Sequence, residues 1–592
     1  MSSALGKLFN TILNNRLTQF LNENGAMCEN QIGFKKKCRT SDHMFVLKNI
    51  MDLYKKNKKE LYICFVDFAK CFDTIWHAGL FYKLKSLGTA SRFYNVIRNM
   101  YNNISLHVRI DSLLTPAFRS LVGVRQGDNL SPTLFNIFVN DLPKHLENCS
   151  PAKFHDLQIH CLMYADDLII LSDNKEGIHN ALDKLFIYCK TWKLSINTEK
   201  TKIMYINNPD KTSKFYYDNV QLKTVNEYCY LGIIFTDKCT FNSAIENLYN
   251  KGLKALFKPM HVLKPLPSAK TMFHLFDHLI KPIILYSCEI WGPCKLKLNY
   301  DYRDISSNNF WKELQTKFPI ESKMSNTSNL YEKIHIRLCR TILGVNNKTS
   351  NIGIYGELGR YPMYIDIIKQ CKRYYEHLES NTENVLLQKV YKTMKTNNNQ
   401  QSINIFNFNN ILSSLSDLNS ERDITLKFRA RYREFWKSQV MTPLSKNGIG
   451  QNKLRTLSKF KTTFKTEPYL IIQTIHKFQK IIARFRLSAH RLKIETGRYN
   501  SKNEYLLPEQ RICQNCQLNK VEDEIHFLVE CPKYNSERSQ LFLSASMESR
   551  HFDNLNNSNK FIWIMSNEGE NIFKNLGIYL ESALKKQIQN TP

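Results

Sequence analysis

The sequence predicts an α+β fold, and three patterns support this prediction. Residues 61–69, LYICFVDFA, form a nearly continuous apolar run, which is typical of a strand covered on both faces. The segment CLMYADDLIILSD predicts a hairpin with strands near 159–164 and 168–172 and a polar tip. Helical periodicity follows the first run in residues 70–103 and returns in residues 240–290. Strands and helices are thus mixed along one chain.

The bulk composition indicates several domains and a nucleic-acid partner. At 592 residues the chain is long enough for about three or four domains. Lys and Arg total 83 against 53 Asp and Glu, and the net charge of +30 is spread along the chain. This surplus favours contact with phosphate backbones, and an anionic membrane surface is the alternative partner. No apolar stretch of ~18 residues occurs, so we expect no transmembrane helix.

The first residues predict an amphipathic helix rather than a signal peptide. The apolar residues that recur there at helical spacing are Leu5, Leu8, Phe9, Ile12 and Leu13. The compact apolar region of a signal peptide does not accompany them. Because no export signal is seen, we expect the sixteen cysteines to be reduced thiols in an intracellular compartment.

Three aspartates indicate a site for divalent cations. Asp166 and Asp167 interrupt an apolar run, where adjacent ionised carboxylates repel one another unless something neutralises them. Taken alone, the pair is explained by ordinary turn chemistry. A third carboxylate, Asp67, lies inside the predicted strand 61–69. If the strand and the hairpin are neighbours, the three side chains could hold a metal ion.

A glycine-containing loop precedes a predicted helix. In GVRQGDNLSPTLF, Gly123 and Gly127 permit a tight loop, Ser131 is a suitable N-cap, and Pro132 fits the first helical position. A phosphate or sugar can approach the backbone at such a helix N-terminus. An ordinary capped core helix explains the segment equally well when it is considered alone.

Other segments predict shorter elements. Residues 104–111 alternate apolar and polar side chains, as a half-buried strand does, and residues 192–206 and 226–236 predict short strands linked by turns. Residues 394–420 are rich in Asn and low in charge, so we expect a linker or a surface insertion.

A cysteine and histidine cluster near the C-terminus predicts one structural zinc ion. Its spacing is C-x2-C-x9-H-x4-C, and three thiolates with one imidazole suit a closed tetrahedral Zn2+ site. The four predicted ligands are Cys513, Cys516, His526 and Cys531. A second grouping of cysteines and histidines, between residues 149 and 161, lacks regular spacing, and we expect it to bind no metal.

Six motifs in order resemble those of one enzyme family. They are QIGFKKKCRTSDHMFVL, FVDFAKCFDTIWH, GVRQGDNLSPTLF, YADD, INTEKTK and YLG. In this order and spacing they resemble the reverse transcriptases of non-LTR retrotransposons, which include the LINE-type and jockey-like elements. The resemblance continues through ILGVNNKTSNIGIYGELGRYP and FRLSAHRLKIETGRY to the cysteine cluster. It therefore covers nearly the whole chain.

The resemblance implies a right-hand polymerase with fingers, palm and thumb, followed by a mainly helical C-terminal region with a small zinc knuckle. The implied domains are partial fingers at 1–60, a palm with inserted fingers elements at 61–238, a helical thumb at 239–350, a basic helical region with the Asn-rich linker at 351–500, and a zinc-knuckle domain at 501–592. The knuckle and the basic segment HKFQKIIARFRLSAHRLK are expected to contact nucleic acid.

The resemblance also implies catalysis by two divalent ions, expected to be Mg2+. Asp67 and Asp166 would bridge the two ions, and Asp167 would complete the acidic cluster. Lys200, in Asn197-x-x-Lys200, aligns with a lysine that protonates pyrophosphate, which is a general-acid role. The alternative for Lys200 is an ordinary solvated lysine.

Further residues match substrate-binding positions of the family. Phe72 matches an aromatic steric gate, whose ring would collide with a ribose 2'-hydroxyl, and its alternative is an ordinary core residue. The other implied contacts are those of Phe68, Gln126 and Gly127 with the incoming nucleotide and template pair, and Tyr230, Leu231 and Gly232 as the primer grip. The fingers residues Lys35, Lys36, Lys37 and Arg39 would bind triphosphate or template, and their alternative is an ordinary solvated run of charges.

The implied function is that of an RNA-directed DNA polymerase that extends a DNA primer or target DNA with deoxynucleoside triphosphates on an RNA template. We expect it to act as a ribonucleoprotein in nucleus and cytoplasm, without a membrane. The sequence shows neither the family's earlier fingers motif nor its apurinic-type endonuclease domain, so we expect no autonomous nicking of target DNA.

Three alternatives remain from the sequence: an inactive, truncated or domesticated nucleic-acid-binding remnant, a structural scaffold, and a group II intron maturase. The intact aspartates favour an enzyme lineage over the first two alternatives. The C-terminal knuckle pattern argues against the maturase.

Overall fold

The computed structural model describes residues 4–102, 105–207, 212–262, 268–295, 330–396, 421–441, 454–500 and 503–588. The chain divides into two compact units. The first comprises residues 1–244, 287–297 and 371–410, and the second comprises residues 245–286, 298–370 and 411–592. The five-domain division stays a prediction. The structure adds that residues 371–396, expected in the basic helical region, belong to the first unit.

A six-stranded sheet lies at the centre of the first unit, in agreement with the predicted α+β class. Strand Leu61–Asp67 is buried on both faces except at its last residue, as its apolar run predicts. It pairs antiparallel with Lys202–Ile206 on one side and with Asp167–Ser172 on the other. The order across the sheet is Phe215–Tyr217, Val220–Thr224, Lys202–Ile206, Leu61–Asp67, Asp167–Ser172 and Cys161–Tyr164.

Helices pack on this sheet and form the main core of the unit. Leu182 and Leu185 of helix Lys175–Trp192 lie in one apolar cluster with Cys64 and Ile170 of the sheet. The helices of the unit are Ala4–Glu23, Thr40–Lys56, Cys71–Thr74, His77–Ser86, Ser91–Asn102, Ser131–Phe138, Leu142–His145, Lys175–Trp192, Cys288–Lys295, Val385–Thr396 and the second half of Tyr364–Ser380.

The predicted half-buried strand over residues 104–111 is wrong. Two short antiparallel pairs occur there instead: Ser105–Leu106 with Phe118–Arg119, and Arg109–Ile110 with Leu113–Leu114. The apolar side chains described there are exposed, at Ile110, Leu114 and Phe118, and Leu113 is 75% exposed. The alternation therefore marks hairpin strands whose described side chains form no buried face. Two further hairpins pair Ala152–Phe154 with Leu157–Ile159 and, as predicted, Glu227–Tyr230 with Ile233–Thr236.

The predicted N-terminal helix is present as Ala4–Glu23, but its buried face differs from the predicted one. The predicted stripe is exposed except for Leu13, and Leu5 is 78% exposed. Burial instead follows Leu13, Leu17 and Leu21, because the second half of the helix supplies these side chains to the core. Helical periodicity alone did not reveal where along the helix the core begins.

The second unit is built mainly from helices in its described part, including the helical stretch predicted from residue 240. These helices are Asn242–Val262, Ala269–Leu275, Phe276–Ile280, Lys281–Ile284, Leu330–Leu343, Asn351–Leu358, Glu421–Met441, Leu457–Phe460, Gln479–Arg486, Lys493–Thr496, Asn535–Glu548, Asn557–Ser566 and Glu570–Ile588, with short turns at Pro468–Leu470, His476–Phe478, Pro508–Gln510, His526–Glu530 and Pro532–Tyr534. Most of the predicted Asn-rich linker lies outside the described residues. Among described helices, none has the length and apolarity to cross a membrane.

One part of the predicted nucleic-acid-binding segment is internal. Arg486, in HKFQKIIARFRLSAHRLK, is only 2% exposed. Its guanidinium forms ion pairs with Glu357 and, at 2.6 Å, with Glu467. Because this side chain is enclosed by carboxylates, Arg486 is not available to bind phosphate. The segment therefore has fewer accessible positive charges than its sequence suggests.

Candidate active site and thiolate cluster

The sheet brings the three predicted aspartates together at one edge of the Asp-Asp hairpin. Asp67 ends its strand and is the register partner of Asp167, which begins the neighbouring strand. Tyr164 also pairs with Asp167, so Ala165 and Asp166 form the turn. Asp166 and Asp167 are exposed, and Asp67 is partly exposed. The site therefore has the predicted membership and opens to solvent.

Each carboxylate makes ionisation of its neighbours less favourable. Desolvation, followed by the charges of Asp166 and Asp67, raises the pKa of Asp167 to about 6. A bound cation would relieve this repulsion, and carboxylate oxygens are the ligands that Mg2+ prefers. The chemistry of the three side chains thus fits the predicted divalent ions.

Lys200 lies beside the aspartates. Its Nζ is 3.6 Å from Oδ2 of Asp67, and its side chain is 67% exposed. The turn that carries it is fixed to the end of the Asp67 strand, because Asn197 N donates to Asp67 O at 2.8 Å and Asp67 N donates to Thr201 Oγ1 at 3.2 Å. An exposed ammonium is therefore held next to the acidic cluster.

Gln31 is a supporting residue to which sequence analysis assigned no role. It is fully buried, and its Oε1 accepts from Ala165 N and from Gly33 N, both at 2.9 Å. Its Nε2 donates to Ala165 O at 3.1 Å. Ala165 has a φ of 54°, a left-handed conformation that an alanine adopts only at a cost. The only indication in the sequence was a single amide side chain, that of Gln31, next to Ile32 and Gly33 in the motif QIGF.

The two predicted aromatic contacts are placed differently. Phe72 is partly buried, and its ring stacks on Phe135 with centroids 4.9 Å apart. It therefore makes a core contact while its side chain remains partly accessible. Phe68 is only 6% exposed, so its side chain belongs mainly to the interior.

The loop before helix Ser131–Phe138 adopts the predicted tight conformation. Gly127 has a φ of 82°, and exposed Gln126 donates from Nε2 to Asp73 Oδ1 at 2.7 Å. The predicted N-cap is wrong by one position: Ser131 is the first helical residue, and its hydroxyl donates to Arg125 O at 2.7 Å. An internal hydrogen bond thus holds the loop, while Gln126 stays at the surface.

The predicted triphosphate-binding residues differ in accessibility. Lys35 is half-buried, and its Nζ donates to Cys28 O at 2.9 Å. Burial lowers the pKa of this lysine. Arg39 is exposed. The structure therefore favours Arg39 over Lys35 as the cation that can meet an anionic ligand.

The predicted primer grip is a tight hairpin turn. Leu231 and Gly232 have φ values of 46° and 88°, as a two-residue turn between antiparallel strands requires. Tyr230 is only 2% exposed, so it supports the turn from inside. Surface contact is left to Leu231 and Gly232.

Tyr228 is a second residue that sequence analysis missed. Its ring stacks on Phe65, with centroids 4.2 Å apart and an interplanar angle of 14°. Desolvation and the charges of Asp167 and Asp67 raise the pKa of its phenol to about 12. A neutral hydroxyl therefore lies close to the acidic cluster. In the sequence, Tyr228 alternates with Tyr230, and this pattern does not indicate that the Tyr228 hydroxyl lies near the aspartates.

The four predicted zinc ligands also converge, within the second unit. One ligand atom from each of Cys513, Cys516, His526 and Cys531 lies within 4.8 Å of all the others. This is the only such group of histidine, cysteine and acidic side chains found in the described part of the chain. His526 Nδ1 lies 3.4 Å from Glu530 Oε2, so a carboxylate supports the imidazole from behind, as it does in many metal sites. The donor set fits a structural metal ion.

Residues 1–235 match the family model described as reverse transcriptase (RNA-dependent DNA polymerase). These residues form a reverse transcriptase domain. The chain is 24% identical over 298 residues to the RNA-directed DNA polymerase from mobile element jockey of Drosophila melanogaster, a match that covers 49% of this chain and 32% of that protein. It is 28% identical over 244 residues to the Pol polyprotein from retrotransposable element R2DM of the same species, which covers 40% of this chain and 23% of that protein.

Both relatives are proteins of mobile elements, in agreement with the resemblance that the motifs carry. The match spans about a third of the length of the jockey polymerase. Among solved structures, apo telomerase from Candida tropicalis aligns at 13% identity over 65% of this chain and 61% of that chain, with a TM-score of 0.30. This structural similarity is too weak to define the fold.

Proposed function

We propose that this chain is an RNA-directed DNA polymerase of a non-LTR retrotransposon, which adds deoxynucleotides to the 3'-hydroxyl of a DNA primer on an RNA template. The observation that supports it best is the register of Asp67 with Asp167, with Asp166 in the adjoining turn, inside the segment that matches the reverse transcriptase family. The net charge of +30 suits RNA and DNA as partners. The proposed setting is a ribonucleoprotein in nucleus and cytoplasm.

Asp67, Asp166 and Asp167 would hold two Mg2+ ions. When bound, such ions lower the pKa of the attacking hydroxyl and stabilise the charge of the leaving pyrophosphate. The three carboxylates would determine where the two ions lie. Lys200, held near Asp67, would donate the proton that pyrophosphate requires.

The residues around the aspartates would position the substrates. The partly accessible ring of Phe72 would exclude a ribose 2'-hydroxyl, and exposed Gln126 would contact the nucleotide and template pair. Arg39 would meet the triphosphate with a planar guanidinium suited to phosphate oxygens. Leu231 and Gly232 would support the primer end.

Primer extension tests this proposal. Wild-type protein should extend a DNA primer annealed to an RNA template when Mg2+ and deoxynucleotides are present, and Asp166→Asn should abolish extension while RNA affinity changes little. Asp156→Asn is the matched control, because Asp156 is an exposed carboxylate in a different hairpin turn. Retained activity in Asp166→Asn would refute the two-metal assignment. RNA binding without any extension by the wild type would indicate a binding remnant instead.

For the cysteine cluster, we propose one structural Zn2+ ion in a knuckle that contacts nucleic acid. The sulfurs of three cysteines and one imidazole already converge, so the metal would close a short loop between ligands that lie near one another. Glu530 would orient His526, and Lys520 pairs with Glu530 at 3.0 Å. The chain's own residues thus supply both the ligands and their support.

A further inference from the structure

Two helical segments from far downstream lie against the loop that carries Arg39. Helix Tyr364–Ser380 enters the first unit at Cys371, and helix Val385–Thr396 follows it. We call residues 371–396 the return segment and residues 33–39 the basic loop. We propose that His377, Asn381 and Asn384 of the return segment position the basic loop for the incoming deoxynucleoside triphosphate. This inference rests on the proposed function, because it assigns a nucleotide-binding role to Arg39.

The first step is the buried carboxylate of Asp42. Asp42 is fully buried in the first turn of helix Thr40–Lys56, and its Oδ2 accepts from the backbone N of Arg39 at 3.0 Å. His377 Nε2 lies 3.0 Å from its Oδ1, and Asn384 Nδ2 donates to its Oδ2 at 3.2 Å. A buried carboxylate without donors is strongly unfavourable. The two downstream side chains therefore keep Asp42 in place, and Asp42 holds Arg39.

The second step is the conformation of the basic loop. Phe34 and Lys37 have φ values of 62° and 58°, in the left-handed region that non-glycine residues rarely adopt. Such residues persist where the surrounding structure holds them. Asn381 Nδ2 donates to Lys37 O at 2.9 Å, so the return segment holds one of the two directly. Asn381 is itself only 3% exposed.

Neighbouring contacts extend the same attachment. Tyr374, which is 4% exposed, donates from its hydroxyl to Ser41 O at 3.2 Å. Lys389 pairs with Glu29 at 2.6 Å and Glu383 with Lys37 at 3.6 Å, but both ion pairs are exposed and contribute little. The buried hydrogen bonds therefore carry the attachment. Since they end on backbone atoms and Asp42, the three proposed residues are positioning residues and touch no substrate.

The experiment compares His377→Leu with His377→Gln in the full chain. Leucine removes the donor to Asp42, whereas glutamine keeps an N–H donor. We expect His377→Leu to raise KM for deoxynucleotides about tenfold with kcat and primer-template affinity within about twofold, and His377→Gln to recover most of the loss. Gln388→Ala is the matched control, because Gln388 donates to Leu378 O within the return segment.

Hydrogen exchange supplies a readout that needs no enzymatic activity. Amides of residues 33–42 should exchange faster in His377→Leu than in wild type or Gln388→Ala, measured without substrate. If His377→Leu fails to fold, Asn384→Ser replaces it, since serine retains an acceptor for Leu387 N but cannot reach Asp42. Unchanged exchange, or faster exchange with an unchanged KM, overturns the inference. A wild type that extends no primer instead refutes the proposed function, and the nucleotide-positioning role falls with it.

Discussion

Gln31 pairs with both backbone polar groups of Ala165, the turn residue next to Asp166. Its Oε1 accepts from Ala165 N at 2.9 Å and its Nε2 donates to Ala165 O at 3.1 Å. This arrangement holds the left-handed Ala165 in the turn beside Asp166. The first two predictions follow from this relationship.

Gln31→Leu should destabilise the first unit and slow primer extension. The change leaves the N–H groups of Ala165 and Gly33 and the Ala165 carbonyl without their partner in the interior. We expect the unfolding free energy of the unit to fall by about 2 kcal/mol or more, since each buried unpaired group costs about 1–3 kcal/mol. Urea titration and kcat at saturating Mg2+ measure the two effects. A fully stable Gln31→Leu protein would contradict the assignment.

Gly33→Ala should disturb the same turn by steric collision. A Cβ at this position would lie 2.2 Å from Ala165 N and 3.0 Å from Ala165 Cα, both of which are backbone atoms. We therefore expect primer extension to be nearly lost. Gly25→Ala is the comparison, because Gly25 has a φ of 54° with no atom within 4 Å of an added Cβ, so only the backbone cost of about 1 kcal/mol applies. Equal activity of the two variants would show that the turn tolerates displacement.

His43 should make the first unit sensitive to acid. It is buried, its Nε2 lies 2.9 Å from Asn30 O, and its Nδ1 has no partner among the described residues. Desolvation lowers the pKa of His43 to about 4. Between pH 6.5 and about 4 the unfolded chain therefore binds the extra proton, and stability falls as pH falls, by up to about 3 kcal/mol from this group.

Urea unfolding from pH 7.5 to 4.5 tests this prediction. His43→Gln should show a flatter decline in stability below pH 6.5 than the wild type. Parallel profiles would mean that His43 does not remain neutral in the folded unit.

Removal of zinc should weaken the C-terminal region without abolishing catalysis. We expect about one Zn2+ per wild-type chain and a lower melting temperature after chelation, because binding energy of a structural metal is folding energy. Cys513→Ser should weaken nucleic-acid binding yet leave primer extension on a saturating template. Cys229→Ser is the control, because Cys229 is exposed and lies outside the cluster. Freshly purified wild type without zinc would refute the knuckle.

The sequence was most informative where chemistry is local. The apolar run at 61–69 predicted the central strand, and the spacing of Cys513 to Cys531 predicted which side chains converge. Burial was harder, because it depends on partners that periodicity does not identify. Arg486 therefore looked available to nucleic acid and is enclosed, and Tyr230 looked like a primer contact and is internal.

Long-range polar contacts could not be predicted at all. Gln31 meets Ala165 through two hydrogen bonds, and His377 meets Asp42 through one, and none of these contacts leaves a repeating pattern in either segment. The role of such residues depends on where distant chain segments meet, and one sequence alone contains no measure of that. The residues that hold the site in position were accordingly less predictable than the aspartates themselves.

The attachment of the return segment also affects how the protein is made. Asp42 and His377 are 335 residues apart, so the first unit is not complete until most of the chain has left the ribosome. At synthesis rates of about 5–20 residues per second, the hydrogen-bond partners of Asp42 are made on the order of tens of seconds after Asp42 itself. During that time the face of helix Thr40–Lys56 that later contacts the return segment is open to chaperones or to wrong neighbours. Pauses in translation between these segments are therefore expected to influence the yield of folded protein.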